Sequence, residues 1–109
     1  MFRKHSESGY HSALKGIEQK TLVYGGKTLM TEFLLRKGSV LPLHSHPHEQ
    51  TGYLVKGRMR LTFGTEQFEA QTGDSWCIPG DVEHEAEIME DTIAVEVFSP
   101  VREDYLPKE

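Results

Sequence analysis

The feature that most constrains this chain is a repeated short pattern. Runs of alternating or β-branched residues recur along it, each closed by a turn signal, in most cases a glycine. Such runs occupy 17–24, 27–36, 40–46, 50–55, 58–63, 67–70, 75–78, 85–89 and 92–98. Side chains that alternate in polarity fit a half-buried strand, and strands spaced about 8–12 residues apart fit a sandwich or barrel rather than βαβ units. The one helical reading, over 14–20, is too short to matter. Gly25-Gly26 reads as a two-residue hairpin turn. The expectation is an all-β single domain.

Composition narrows the partners. The 109 residues carry 17 acidic against 12 basic side chains, for a formal charge of −5. No basic patch stands out, which argues against nucleic acid and anionic membranes as partners. Cys77 is the single cysteine, so an intramolecular disulfide and a multi-cysteine zinc site are both excluded. No apolar run approaches the roughly 18–20 residues of a membrane span. Nor does an apolar stretch follow the basic N-terminus, so the expected location is cytoplasmic. Residues 1–12 read as a polar N-terminal segment and 100–109 as a charged, solvated tail, with a single domain over 1–109.

Six histidines are present. His5 and His11 lie in the polar N-terminal segment and read as surface residues. His44, His46 and His48 are clustered, and His84 follows much later. On an extended strand, side chains two apart share a face, so His44 and His46 can aim both imidazoles at one point. Imidazole suits divalent first-row transition metals. A bare His-x-His is equally compatible with a pair of hydrogen-bonded or exposed histidines, and the surrounding spacing decides. Gly38, His44, His46, Gln50 and Gly57 reproduce the first cupin motif with Gln in place of its Glu. Gly73, Pro79, Asp81 and His84 reproduce the second, with Asp at its second glycine and Ile88 at its closing Asn. The chain therefore resembles a single-domain cupin, which implies a jelly-roll (double-stranded β-helix) barrel with a metal inside.

That resemblance assigns His44, His46, Gln50 and His84 as ligands of one divalent transition metal ion. Nickel, manganese, iron, cobalt and zinc are all chemically admissible. Glu49 and His48 are rivals for Gln50, because Pro47 upsets strict alternation. Three imidazoles and an amide oxygen leave the ion its full charge, favouring Lewis acidity and anionic ligands.

Two strings narrow the resemblance. His-Ser-His-Pro-His-Glu-Gln over 44–50 and Phe-Ser-Pro-Val-Arg-Glu-Asp-Tyr-Leu over 98–106 resemble the small pectin-degradation cupins of the KdgF type. The implied activity is ketonisation of 4,5-unsaturated uronates, anionic sugars released by pectate or alginate lyases. The family's acidic residue, aromatic and arginine near the metal fall on Glu96, Phe98 and Arg102, with Glu96 where the family usually has Asp. Each has a structural alternative: Glu96 paired with a neighbouring Arg, Phe98 in the core, Arg102 as a tail charge. Tyr53 and Trp76 are candidates for stacking on a sugar, Trp76 more readily for core or interface. Arg58 and Arg60 read as a solvated pair, and Cys77 as a small buried hydrophobe. A metal-dependent oxygenase and a non-catalytic metal- or sugar-binding protein are the competing functions. A homodimer is expected, with the strand over 17–24 covering a partner's edge.

Overall fold

The computed structural model describes residues 1–107. All nine expected strands form. They are β2 (Ile17–Tyr24), β3 (Leu29–Leu35), β4 (Val40–His44), β5 (Glu49–Lys56), β6 (Arg58–Phe63), β7 (Glu66–Gln71), β8 (Ser75–Ile78), β9 (His84–Ile88) and β10 (Thr92–Ser99). A tenth, β1 (His11–Leu14), precedes them, overlapping the segment expected to be merely polar. Its four residues are all exposed, so no alternation marks it. Only antiparallel pairing with β2, His11 opposite Gln19, makes it a strand. The strands form two antiparallel sheets, one in the order β1-β2-β3-β10-β5-β8, the other β4-β9-β6-β7. This is the expected jelly-roll architecture.

Alternation places the core between the sheets. β3 reads buried, half-buried, buried along its length, sending Leu29, Thr31, Phe33 and Leu35 inward. Leu54 from β5, Leu61 from β6, Ile88 from β9 and Phe98 from β10 meet them. Burying a side chain of this size contributes about 1.5–3 kcal/mol, which is how a sequence of short strands holds two sheets face to face. Gly38, Gly57 and Gly73 all take positive φ at strand ends, as turn glycines do.

Three expectations are corrected, and a fourth is refined. The first hairpin turns through four residues, 25–28, closed by Gly25 N–H donating to Thr28 O at 2.9 Å, and neither Gly25 nor Gly26 needs a positive φ. β1 covers the outer edge of β2 only over 17–19, and the edge over 20–24 has no strand partner among the described residues. Cys77 is exposed rather than buried. It sits on the edge strand β8, where Trp76 and Ile78 face inward and their neighbour must face out. The charged tail is not free in solvent either. Val101, Tyr105 and Leu106 pack against the core, with a short 3-10 turn, η1 (Glu103–Tyr105), between them. Residues 108–109 of that tail lie outside the described residues.

Candidate metal centre

His44 ends β4 and His84 opens β9, and the two are register partners across that strand pair. His46 lies just beyond β4, in a bend that Pro79-Gly80-Asp81 braces. Asp81 N–H donates to His46 O at 2.8 Å, and a Cβ on Gly80 would stand 2.4 Å from Pro47 O. Asp81 itself adopts φ +64°, the left-handed conformation that glycine supplies in the motif and that Asp tolerates. Ring centroids are 4.1 Å apart for His44 and His84, 5.0 Å for His46 and His84, and 5.8 Å for His44 and His46. One potential ligand atom from each falls within 4.8 Å of the others.

The hydrogen bonds decide which nitrogen faces the centre. Nδ1 of His44 reaches Pro42 O at 2.8 Å, that of His46 reaches His48 O at 3.0 Å, and that of His84 reaches Val82 O at 2.9 Å. A carbonyl only accepts, so each Nδ1 carries the hydrogen and each neutral ring keeps its lone pair on Nε2. Carbonyls holding the far nitrogen are the usual support of metal-ligating histidines. The Nε2 atoms of His46 and His84 are buried without a partner, and so is Gln50 Oε1. Burial lowers the His84 pKa to about 4 and also lowers that of His46, where the charge of Arg102 adds to the effect. Both rings are therefore neutral and available near pH 7. His84 and Gln50 line one cavity with His44, and His46 joins the two histidines within ligand distance, a set of unpaired donors that fits a divalent cation.

A second polar group backs the first. Glu96, Gly52 and Trp76 form one cross-strand row on β10, β5 and β8. Gly52 has no side chain, so the Trp76 indole lies over it: a Cβ there would sit 2.2 Å from Trp76 Cε2. Across that gap Trp76 Nε1 donates to Glu96 Oε1 at 2.8 Å, while Gln50 Nε2 donates to Glu96 Oε2 at 2.8 Å. Using Nε2 this way turns Gln50 Oε1 away from the carboxylate and leaves it unpaired. Burial raises the Glu96 pKa, against the two hydrogen bonds and the charge of Arg102. Phe98 is in the core and also packs edge-on against His46, with centroids 5.7 Å apart. Arg102 lines the same cavity, its guanidinium 3.9 Å from the Tyr105 ring centre and 5.0 Å from that of Phe98.

Comparison with known proteins agrees with this geometry. Residues 31–100 match the cupin domain. The chain belongs to the cupin family. Among solved structures it is similar to KdgF from Halomonas sp., at 27% identity over 92% of this chain and 94% of that one, with TM-score 0.87. An RmlC-like cupin from Shewanella frigidimarina is 25% identical over 96% of this chain and 95% of that one, with TM-score 0.90. An uncharacterised protein of Methanocaldococcus jannaschii is 30% identical over 77 residues, which are 70% of this chain but only 62% of that relative.

In this cupin His44, His46 and His84 come together as the motif spacing implies. Glu49 is exposed on the outward face of β5, opposite to buried Gln50. His48 supplies its backbone carbonyl to His46 and keeps its ring outside the three-histidine group. Among the described residues Glu96 pairs with Gln50 and Trp76 and with no arginine, contrary to its structural alternative. Tyr53 is 51% exposed on the outer face, which takes it out of the cavity. Arg58 pairs with Glu69 and Glu90, and Arg60 with Glu87, so both stay on the surface as expected. Gly52 belongs to no motif, and Trp76, a candidate for sugar stacking or more readily for core or interface, here holds Glu96. A glycine in a strand interior, register-paired with the only tryptophan, is the signal that marks both. The described residues contain no helix long and apolar enough to cross a membrane.

Proposed function

We propose that this cupin is a metal-dependent enzyme that ketonises 4,5-unsaturated uronate monosaccharides from pectin or alginate breakdown. The observation that carries the reading is one cavity whose lining brings His44, Gln50 and His84 together with the aromatic-held Arg102. The likeness to KdgF over nearly the whole chain supports it. His44, His46 and His84 would hold the ion through Nε2, and Gln50 through Oε1.

The reaction adds a proton at C4 and water at C5 of an enol ether that carries a carboxylate, opening the ring to a 5-keto sugar. A bound divalent ion supplies Lewis acidity to substrate oxygens and to water. Neutral ligands leave that end cationic, so it draws an anionic sugar in. Arg102 receives the carboxylate in its planar fork and fixes the ring's orientation. Glu96 moves the proton: a carboxyl whose pKa burial has raised holds a proton closer to neutral pH than an exposed one. Trp76 and Gln50 fix that carboxyl, and Phe98 forms the dry wall beside His46.

The deciding experiment incubates the metal-loaded protein with unsaturated galacturonate and follows loss of the conjugated double bond in the ultraviolet. Loss of absorbance is expected. One bound metal per chain with no turnover would instead make this a binding protein, and oxygen consumption with another small molecule would make it an oxygenase. A two-fold homodimer completes the proposal. Outward-facing Met30, Leu34, Ile93, Val95 and Val97 put apolar side chains on the six-stranded sheet, and a monomer in light scattering at micromolar concentration would count against it.

A further inference from the structure

The arginine that the proposed chemistry needs is already engaged. Arg102 Nε donates to Asp104 Oδ1 at 3.2 Å and Nη2 donates to Asp104 Oδ2 at 2.7 Å. This is the two-pronged geometry with which a guanidinium takes any carboxylate. The partners are unequal, however. The Arg102 side chain is 14% exposed and lines the cavity, whereas that of Asp104 is 57% exposed at the rim. Arg102 is also held independently of Asp104, since its guanidinium lies over Tyr105 and Phe98. Asp104 has no comparable aromatic hold: apart from its own backbone N–H, its side chain hydrogen-bonds no residue but Arg102 among the described residues. A fixed cation thus carries a carboxylate free to swing into water.

We propose that Asp104 is an internal competitor that sets ligand specificity, occupying the Arg102 fork until a ligand carboxylate displaces it. This rests on the reading that Arg102 receives the substrate carboxylate. Displacement costs the ligand the Arg102–Asp104 pair and leaves a negative charge at the rim. A simple anion has nothing to offset that with. A sugar acid does, because an oxygen beside its carboxylate can turn to the histidines that line the same cavity. The device therefore admits carboxylates with a neighbouring oxygen donor and keeps acetate or phosphate out.

Isothermal titration of metal-loaded protein with D-galacturonate and with acetate tests this, comparing the parent with Asp104→Asn and Glu103→Gln. Glu103 is exposed on the same turn, and its replacement removes the same charge without touching Arg102. Asp104→Asn is expected to tighten galacturonate about fivefold, the upper end for a partly exposed ion pair, and to make acetate binding measurable. Glu103→Gln should shift the affinity less than twofold. The proposal is overturned if Asp104→Asn leaves binding unchanged or weakens it, which would make Asp104 a support for Arg102. Equal tightening by Glu103→Gln overturns it too, because general charge then explains the effect, as does galacturonate binding to neither protein. Turnover of unsaturated galacturonate separates the two readings. A parent that turns over while Asp104→Asn keeps the same KM sinks the competitor and spares the ketonisation. Tightened galacturonate binding with no turnover by either protein does the reverse.

Discussion

Gly52→Ala is the sharpest probe of how this site is built. In an ordinary strand the change should help, because alanine loses less backbone entropy than glycine, by about 0.5–1 kcal/mol. Here the new Cβ would stand 2.2, 2.3 and 2.4 Å from Trp76 Cε2, Nε1 and Cζ2, more than 1 Å inside contact distance. The indole must leave. Overpacking of this kind costs about 1–3 kcal/mol. Losing the Trp76–Glu96 hydrogen bond, in which the acceptor is a buried carboxyl, adds about 1.5–3 kcal/mol. The clash outweighs the gain, and a net loss of about 3 kcal/mol follows. Urea unfolding followed by circular dichroism should show it in Gly52→Ala, and the single tryptophan's emission should shift to the red. In a Trp76→Phe background the same alanine should cost less than about 1 kcal/mol, a coupling near 2 kcal/mol between contacting residues. An equal cost in both backgrounds, or none in the parent, would refute the reasoning.

The remaining predictions concern the metal, the proton and the anion. In metal-free protein His84 resists protonation until about pH 4, whereas the unfolded chain takes up that proton near 6.5. Its contribution to stability is therefore constant above about pH 6.5 and falls between there and 4, by on the order of 3 kcal/mol; urea titrations should show that slope flattened in His84→Gln. Protein purified without chelator should carry about one transition metal per chain by elemental analysis, and His84→Ala should remove most of it. Glu96→Gln sets an amide against Gln50 Nε2 and turns the Gln50 amide over, so metal affinity measured against a chromogenic chelator should fall about tenfold. Arg102→Lys keeps the charge but loses the fork and the ring stacking, so most ketonising activity should go while metal content is unchanged.

Patterns that live within one segment were legible in the sequence, because alternation and turn residues act over a few positions. Nine strands follow from them, and so does the pairing of His44 and His46, two residues apart and aimed at one point. His84 was legible by motif spacing, which encodes the β4–β9 register indirectly. Departures from that local logic came from contacts. β1 has no amphipathic pattern and exists through its neighbour, and the hairpin at 25–28 is set by a hydrogen bond rather than by its two glycines. The last ten residues read as charged, yet Val101, Tyr105 and Leu106 find the open end of the core and carry Arg102 back over it. The row Glu96–Gly52–Trp76 draws on three strands 20 or more residues apart, and only their register brings a carboxyl, a gap and an indole into line. Alternation along each strand told inward from outward side chains where the pattern was clear, and spacing told which histidines can bind a metal; Cys77 and the tail were not readable that way. Which side chains share a hydrogen bond came only from the packed strands, because hydrogen bonds need atoms within about 3 Å and no pattern along one strand fixes the distance to another.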